Sequence, residues 1–260
     1  AHAAMIAGRE LASVIDNPVI TVDGRIESNG NFHGAPVAAV RGADFSDGAG
    51  DRIQGWSLAG PLSAVAITVR GTVETTDTAG MLKGYREAIH PCAYKRGTAM
   101  TAGSAALQAL ADSVSDAGGQ LSLAHGLSAA VSGAISYTPG VTHAHTSASE
   151  ALALGEGVCQ DHAHLFLACV RGLGVPARYV SGYLYTTAEH AASHAWADVW
   201  LAGTGWTSVD VTNRQFASDC HCRLAVGRDY DSASPVRGVR SGGGEESMEV
   251  SVQVQTSAQQ

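Results

Sequence analysis

Cys159 lies in Gly155-Glu156-Gly157-Val158-Cys159-Gln160-Asp161-His162-Ala163-His164, where a glycine-rich turn runs into a helical pattern. Apolar positions at Ala163, Phe166, Leu167, Val170 and Leu173 keep the i, i+3, i+4 spacing of a helix, which Gly172 and Gly174 end. The sulfur therefore falls in the first turn, where unpaired backbone N–H groups and the positive end of the macrodipole favour negative charge on it. A thiol placed in that way is prepared as a nucleophile. Cys169, deep in the same pattern, reads instead as a small hydrophobe.

A cysteine nucleophile needs a base and a group to orient that base, and both types occur downstream. Ser193 to Leu201 alternates like a half-buried strand with His194, Trp196, Asp198 and Trp200 on one face. Ala202-Gly203-Thr204-Gly205 reads as a turn and Trp206 to Asp210 as the returning strand. Opposed residues of an antiparallel pair lie on the same side, so His194 and Asp210 share a face only if paired positions sum to an even number, such as 404 or 406. With that register, Asp210 accepts from one ring nitrogen of His194 while the other faces the sulfur. In the other register, Asp198 is the fallback orienter.

The order Cys159, His194, Asp210, together with Gly-Val-Cys-Gln-Asp, Gly174-Val175-Pro176-Ala177-Arg178-Tyr179-Val180-Ser181-Gly182-Tyr183, Ser193-His194-Ala195-Trp196 and Gly205-Trp206, resembles bacterial transglutaminase-like proteins of the cysteine-protease type. The likeness runs from about residue 42 to 254. It implies an α+β, papain-like core, with a cysteine-bearing helix packed on an antiparallel sheet that carries the histidine and the aspartate. It also implies acyl chemistry on a peptide or protein amide through a thioester, with Cys159, His194 and Asp210 as catalytic residues and no cofactor. Two positions depart from the family pattern: His162 stands where an aromatic residue is usual, and Val211 follows Asp210 where proline is common. A second class of function, a non-catalytic interaction module on the same fold, is disfavoured because the cysteine and histidine are both present.

Residues 1–40 resemble something else. Glu10-Leu11-Ala12-Ser13-Val14-Ile15-Asp16-Asn17-Pro18-Val19 and Gly30-Asn31-Phe32-His33-Gly34-Ala35-Pro36-Val37 are similar to a segment of the histidine and aromatic amino-acid ammonia-lyases. The electrophile of that family forms from Ala-Ser-Gly, which occurs nowhere in this chain. The resemblance thus implies a remnant, a gene fusion or an assembly artefact rather than an active lyase. The organisation expected is a lyase-like fragment over 1–40, a partial β-rich transglutaminase N-terminal region over 41–90 and a catalytic domain over 91–260.

Composition bounds the alternatives. The 260 residues are 45% apolar and 15% charged, which describes a globular chain long enough for one substantial core or two modest ones. A net charge of −8, with no basic block longer than Lys95-Arg96, disfavours a nucleic-acid partner. No apolar run approaches the ~20 residues of a membrane span, and the N-terminus lacks a secretory pattern, although Ala1 is not an initiator. Five cysteines, an odd and sparse set, fit a reducing compartment, and the expected location is the cytoplasm.

The elements that must position the chemistry follow from pattern. A short helix is expected through Ile15, stopped at Pro18, then a Gly- and Asn-rich loop, the whole piece loosely attached because it can bury little alone. Strands are expected over 52–58 and through Val65, Ile67, Val69 and Val73, with Gly71 as a bulge. Replacement of the family's upstream strands is expected to leave a sheet edge open. Leu107 to Val114 and Leu123 to Ile135 mark two helices, and Ser147-x-x-Glu150 has the spacing of a capping box. Val175 to Tyr185 reads as a strand, residues 232–246 as a loop and Met248 to Val254 as a half-solvated strand closing the sheet, with 256–260 fraying.

Three other polar clusters are candidate metal ligands: His143-x-His145, His162-x-His164 and Cys220-His221-Cys222. None has the spacing that specifies zinc, and Cys220 and Cys222 would point to opposite faces of a strand. No metal site is expected. Asp161 is expected to turn away from the sulfur, and His162 or His164 to tune the thiolate without acting as base.

Overall fold

The computed structural model describes residues 2–7, 12–14, 19–25, 27–28, 31–32, 37–82, 89–114, 118–186, 192–242 and 247–253. The N-terminal part consists of strands: β1 (His2–Ala7), β2 (Ala12–Val14), β3 (Val19–Arg25), β4 (Glu27–Ser28), β5 (Asn31–Phe32), β6 (Val37–Ala38), β7 (Val40–Ser46), β8 (Arg52–Ser57), β9 (Ala64–Arg70) and β10 (Val73–Thr75). A 3-10 turn at Pro91–Lys95 leads to α1 (Ala105–Asp112), α2 (Gln120–Ala134), β11 (Ser136–Tyr137), α3 (Ala148–Leu154) and β12 (Glu156–Gly157). Then come α4 (Cys159–Gly172), β13 (Ala177–Leu184), β14 (Ala192–Leu201), β15 (Gly205–Asp210), β16 (Gln215–Phe216), β17 (His221–Gly227), α5 (Tyr230–Ala233) and β18 (Val236–Val239).

The architecture is the expected α+β, transglutaminase-like one: a central helix, α4, on an antiparallel sheet ordered β16-β15-β14-β13-β17. Helices α1, α2 and α3 pack on α4 from one side and β13 and β14 from the other. With neighbours all round, Leu165, Phe166 and Leu167 are consecutive and fully buried, where a surface helix would bury one stripe. Each such side chain contributes about 1.5–3 kcal/mol of burial, which fixes the axis on which Cys159 is carried. Arg171, buried near the helix end, donates to the carbonyls of Tyr94, Ala177 and Arg228 and to Thr101 Oγ1 at 2.7–3.0 Å, which ties α4 to both flanks.

The N-terminal strands join this core. Asp51 Oδ2 accepts from Val226 N–H at 2.9 Å, Leu82 N–H donates to Trp206 O at 2.9 Å, and Ser208 N–H donates to Gly80 O at 2.8 Å.

Several expectations are corrected. Ala12–Val14 is a strand paired with β10, not part of a helix; Glu10, Leu11, Ile15 and Pro18 lie outside the described residues. The lyase-like stretch supplies strands of its own: β1 pairs with β8 along its whole length and β3 pairs with β9, while β7 and β9 are outer strands of their sheets. A helix of one or two turns is costly to nucleate, whereas an unpaired strand edge offers a ready row of donors and acceptors, and this second solution is taken. Gly71 is a break between two strands, β9 and β10, rather than a bulge within one. Within 232–246, β18 is not loop but pairs with β1, while the end of that stretch, 243–246, lies outside the described residues. Residues 247–253 form no strand, and Met248 and Val250 are exposed, so this segment does not close the five-stranded sheet. Val254 and residues 256–260 also lie outside the described residues.

Candidate active site

The turn before Cys159 is built from two local devices. Ser147 and Glu150 form the reciprocal capping box that starts α3, and Gly155 ends it in the left-handed region at φ 73°. The chain then extends through β12, parallel to β11, and enters α4 at Val158. Valine has no side-chain acceptor, so Asp161 caps the entry alone: its Oδ2 accepts from Val158 N–H at 2.8 Å and from Thr142 Oγ1 at 2.6 Å. A β-carbon on Gly157 would lie 2.7 Å from the Asp161 side chain, so this close return requires glycine. The first intrahelical bond runs from His162 N–H to Val158 O, which leaves the N–H groups of Cys159, Gln160 and Asp161 ahead of it in the first turn. Cys159 itself is half-buried.

Strands β14 and β15 pair with positions that sum to 406, as for Ala197 and Val209 or Trp200 and Trp206. This is one of the registers that puts His194 and Asp210 on one face, and His194 Nε2 lies 2.9 Å from Asp210 Oδ2. Cys159 is the other neighbour that acts on this ring, and with Nε2 committed to Asp210 it is Nδ1 that is left for the sulfur. Burial disfavours the charged ring, but the bonds to Asp210 and Cys159 and their charges outweigh it and raise His194 to about 9. Asp210, fully buried, is held well below the usual carboxylate range: burial opposes ionisation, while donors from His194, His221 and Asn213 more than offset that cost. The structure thus sets His194 against Asp210, and Cys159 is among the groups that act on that ring.

The remaining candidates have other partners. Asp198 accepts from Arg178 Nε at 2.8 Å, from Arg223 Nη1 and Nη2 at 2.7 and 2.8 Å, and from Ser208 Oγ at 2.7 Å, a buried ionic joint remote in chemistry from the imidazole. His162 Nδ1 bonds back to Val158 O at 3.0 Å. His164 is fully buried; its Nε2 accepts from Tyr230 N–H at 3.1 Å, and burial lowers it to about 4, so it stays neutral in the core. Tyr179 packs on His164 and Tyr230.

Two residues at the site are not assigned to it from sequence: Asn213 goes unnamed there, and His221 enters only as a candidate metal ligand. Asn213 Nδ2 donates to Asp210 Oδ2 at 2.7 Å and its N–H to Oδ1 at 3.2 Å, from a tight turn that Arg214 closes at φ 52°. His221 Nε2 lies 3.1 Å from the same Oδ2. The pattern His221-x-Arg223-x-Ala225 is a strand alternation that places His221 and Arg223 on one face, and reading it would have separated His221 from the two flanking cysteines. His194, Asp210 and His221 present ligand atoms within 4.8 Å of one another, a spacing open to a metal. A metal on His221 Nε2 would need the ring proton on Nδ1, yet Nδ1 accepts from Ser218 N–H at 3.1 Å, so the donor set fits a hydrogen-bonded carboxylate better than a coordination sphere.

Residues 108–211 match the family model described as the Transglutaminase-like superfamily, a stretch that includes α4, β14 and β15. Over this stretch the chain is similar to that superfamily. Residues 1–44 match a second family model, Aromatic amino acid lyase. An uncharacterized protein of Mycobacterium leprae is 39% identical over 127 residues, which cover 46% of this chain and 45% of that protein; the chain thus spans under half the length of this curated relative. Histidine ammonia-lyase of Streptomyces griseus is 77% identical over 39 residues, 15% of this chain and 8% of the lyase. Among solved structures, a candidate cysteine protease from Cytophaga hutchinsonii superposes with a TM-score of 0.68 at 22% identity, covering 91% of this chain and 80% of that one, a likeness of fold. Among the described residues, no helix is long and apolar enough to cross a membrane.

Proposed function

We propose that the transglutaminase-like domain is a cysteine-dependent amidohydrolase or acyltransferase acting on peptide or protein amides. The observation that carries this reading is the 2.9 Å bond from His194 Nε2 to Asp210, with Cys159 acting on the same ring and His194 raised to about 9, so that the imidazole can hold a proton at neutral pH. The thiolate attacks the amide carbonyl; the oxyanion that forms is met by the Cys159 N–H at the helix start. His194 then gives its proton to the nitrogen as the C–N bond breaks, the amine or ammonia leaves, and a thioester remains on Cys159. Water or a primary amine attacks the thioester, His194 takes the proton from it, and the thiolate departs. Asp210 keeps the ring in one orientation and balances its charge in both half-reactions.

The unit that performs this chemistry runs over 91–260, with 1–40 and 41–90 supplying supporting strands. The lyase-like stretch is a structural contributor rather than a second enzyme, since the tripeptide that makes the lyase electrophile is absent from the chain. Five free thiols accord with a reducing compartment such as the cytoplasm.

The test is to incubate the protein with a peptide library containing glutamine and asparagine, with and without a primary amine, and to weigh peptides and protein. Expected are an acyl adduct on Cys159 and peptide products of hydrolysis or amine exchange, both missing in Cys159→Ala. Peptides unchanged under every condition, with no adduct, would contradict the reading.

A further inference from the structure

Asp210 is shared, and the sharing has a direction. Its Oδ2 is approached by three nitrogens: Asn213 Nδ2 at 2.7 Å, His194 Nε2 at 2.9 Å and His221 Nε2 at 3.1 Å. The ring of His221 is locked. Ser218 N–H donates to its Nδ1 at 3.1 Å, so that nitrogen carries no proton and the ring proton sits on Nε2, aimed at the carboxylate. Trp196 meets the His221 ring edge to face at 5.2 Å, and the His221 side chain is 1% exposed, so neither rotation nor solvent offers Nε2 another partner.

The sheet is built to permit this contact. His221 belongs to β17 and Asp210 to β15, three strand steps apart, which in a flat sheet is ~14 Å. The sheet curls, and Gly182 of β13, opposite His194, leaves the space: a β-carbon there would lie 2.3 Å from Cys222 O and 2.5 Å from the Trp196 ring.

We infer that His221 is a positioning residue of the reaction, a second imidazole that holds the Asp210 carboxylate in place and draws its charge away from His194. This rests on the function proposed above and deepens it. A carboxylate lone pair given to one donor is given less fully to another, so His221 keeps the bond between His194 and Asp210 from becoming too strong. His194 must take up and release a proton in each half-reaction, and a ring clamped too tightly to its carboxylate releases it late. The groups facing His194 are Asp210 from β15, the Cys159 sulfur from α4 and the His221 ring from β17 at 6.1 Å, with Asn213 reaching the same carboxylate from the following turn.

The experiment is the pH profile of Cys159 alkylation by iodoacetate in the full chain. This anionic reagent needs the thiolate and is drawn by the imidazolium, so its rate falls where His194 loses its proton. In the unaltered protein that falling limb should lie near pH 9. His221→Phe keeps a ring against Trp196 but removes the donor, and should move the limb upward by about half to one pH unit, the size of one hydrogen bond. His221→Gln, whose amide can donate to Asp210, should restore it. Asn213→Ala, at an exposed position that does not threaten folding, should shift it the same way by removing another donor to Oδ2. A limb that stays in place or moves down in His221→Phe, or stays in place in Asn213→Ala, would overturn the inference while leaving the proposed chemistry intact. A flat profile already in the unaltered protein, the same as in His194→Ala, would instead sink the proposed function.

Discussion

Asp198 and Asp210 lie on neighbouring strands of one sheet, both fully buried and both held below the usual carboxylate range, yet they are surrounded by opposite kinds of partner. Asp198 is gripped by two guanidinium groups, with the Arg178 group itself 4.2 Å over the Trp206 ring. These charges do not leave at any pH a protein survives. Asp210 is gripped by two imidazoles and an amide, groups that hand protons on or hold them in place. Strand β17 serves both sites, with Arg223 reaching Asp198 and His221 reaching Asp210 from alternate positions on one face. One carboxylate is a fixed joint of the sheet and the other a joint through which a proton can be steered, and the difference comes from the partners rather than from burial.

The comparison breaks most visibly at Asp210. Asp210→Asn should slow acylation or alkylation of Cys159 by about 10²–10⁴-fold, because an amide can neither balance the imidazolium nor select its orientation. Stopped-flow labelling should show that kinetic loss, and urea unfolding on the same sample a stability loss no larger than the roughly 3 kcal/mol that the raised His194 pKa supplies.

Asp198→Ala should do the reverse. Two guanidinium groups would be left buried without their counter-charge, at a cost of about 3–5 kcal/mol in unfolding free energy, with the labelling rate of the folded fraction nearly unchanged.

Two histidines sharpen the contrast through pH. His194 rises from 6.5 in the unfolded chain to about 9 in the fold, so its stabilisation is fully present below pH 6.5 and is lost as pH rises through 9, roughly 3 kcal/mol in all. His164 falls from 6.5 to about 4, so protonation favours the unfolded chain and stability declines as pH drops from 6.5 toward 4. Unfolding midpoints across pH should decline on both sides, and Asp210→Asn should flatten the alkaline side alone.

The smallest effect expected is that of Gly182→Ala. The added methyl group must displace Cys222 O or the Trp196 ring, costing about 1–3 kcal/mol and loosening the approach of His221 to Asp210. Thermal unfolding and the iodoacetate profile together separate those two consequences.

The sequence was informative where local rules and tertiary demand agree. The start of α4, the capping box at Ser147 and the parity that puts His194 and Asp210 on one face all follow from spacing, because helix turns and strand alternation leave few other solutions. It was uninformative where the partner is remote. Residues 12–14 carry little preference of their own and take the conformation that β10 offers, whereas the alternation that begins at Met248 joins no sheet over the described residues 247–253. His221 was hidden for a related reason: its partner lies three strands away, across a glycine whose purpose only the curled sheet discloses.

The central claim is that the Cys159 sulfur and the His194 ring act as one unit. Mass-resolved iodoacetamide labelling of all five cysteines near neutral pH tests it most directly. The account predicts that Cys159 is modified at least ~10-fold faster than Cys92, Cys169, Cys220 and Cys222, and that His194→Ala removes that advantage. Equal, slow modification of the exposed thiols, with Cys159 unaffected by the loss of His194, would contradict it.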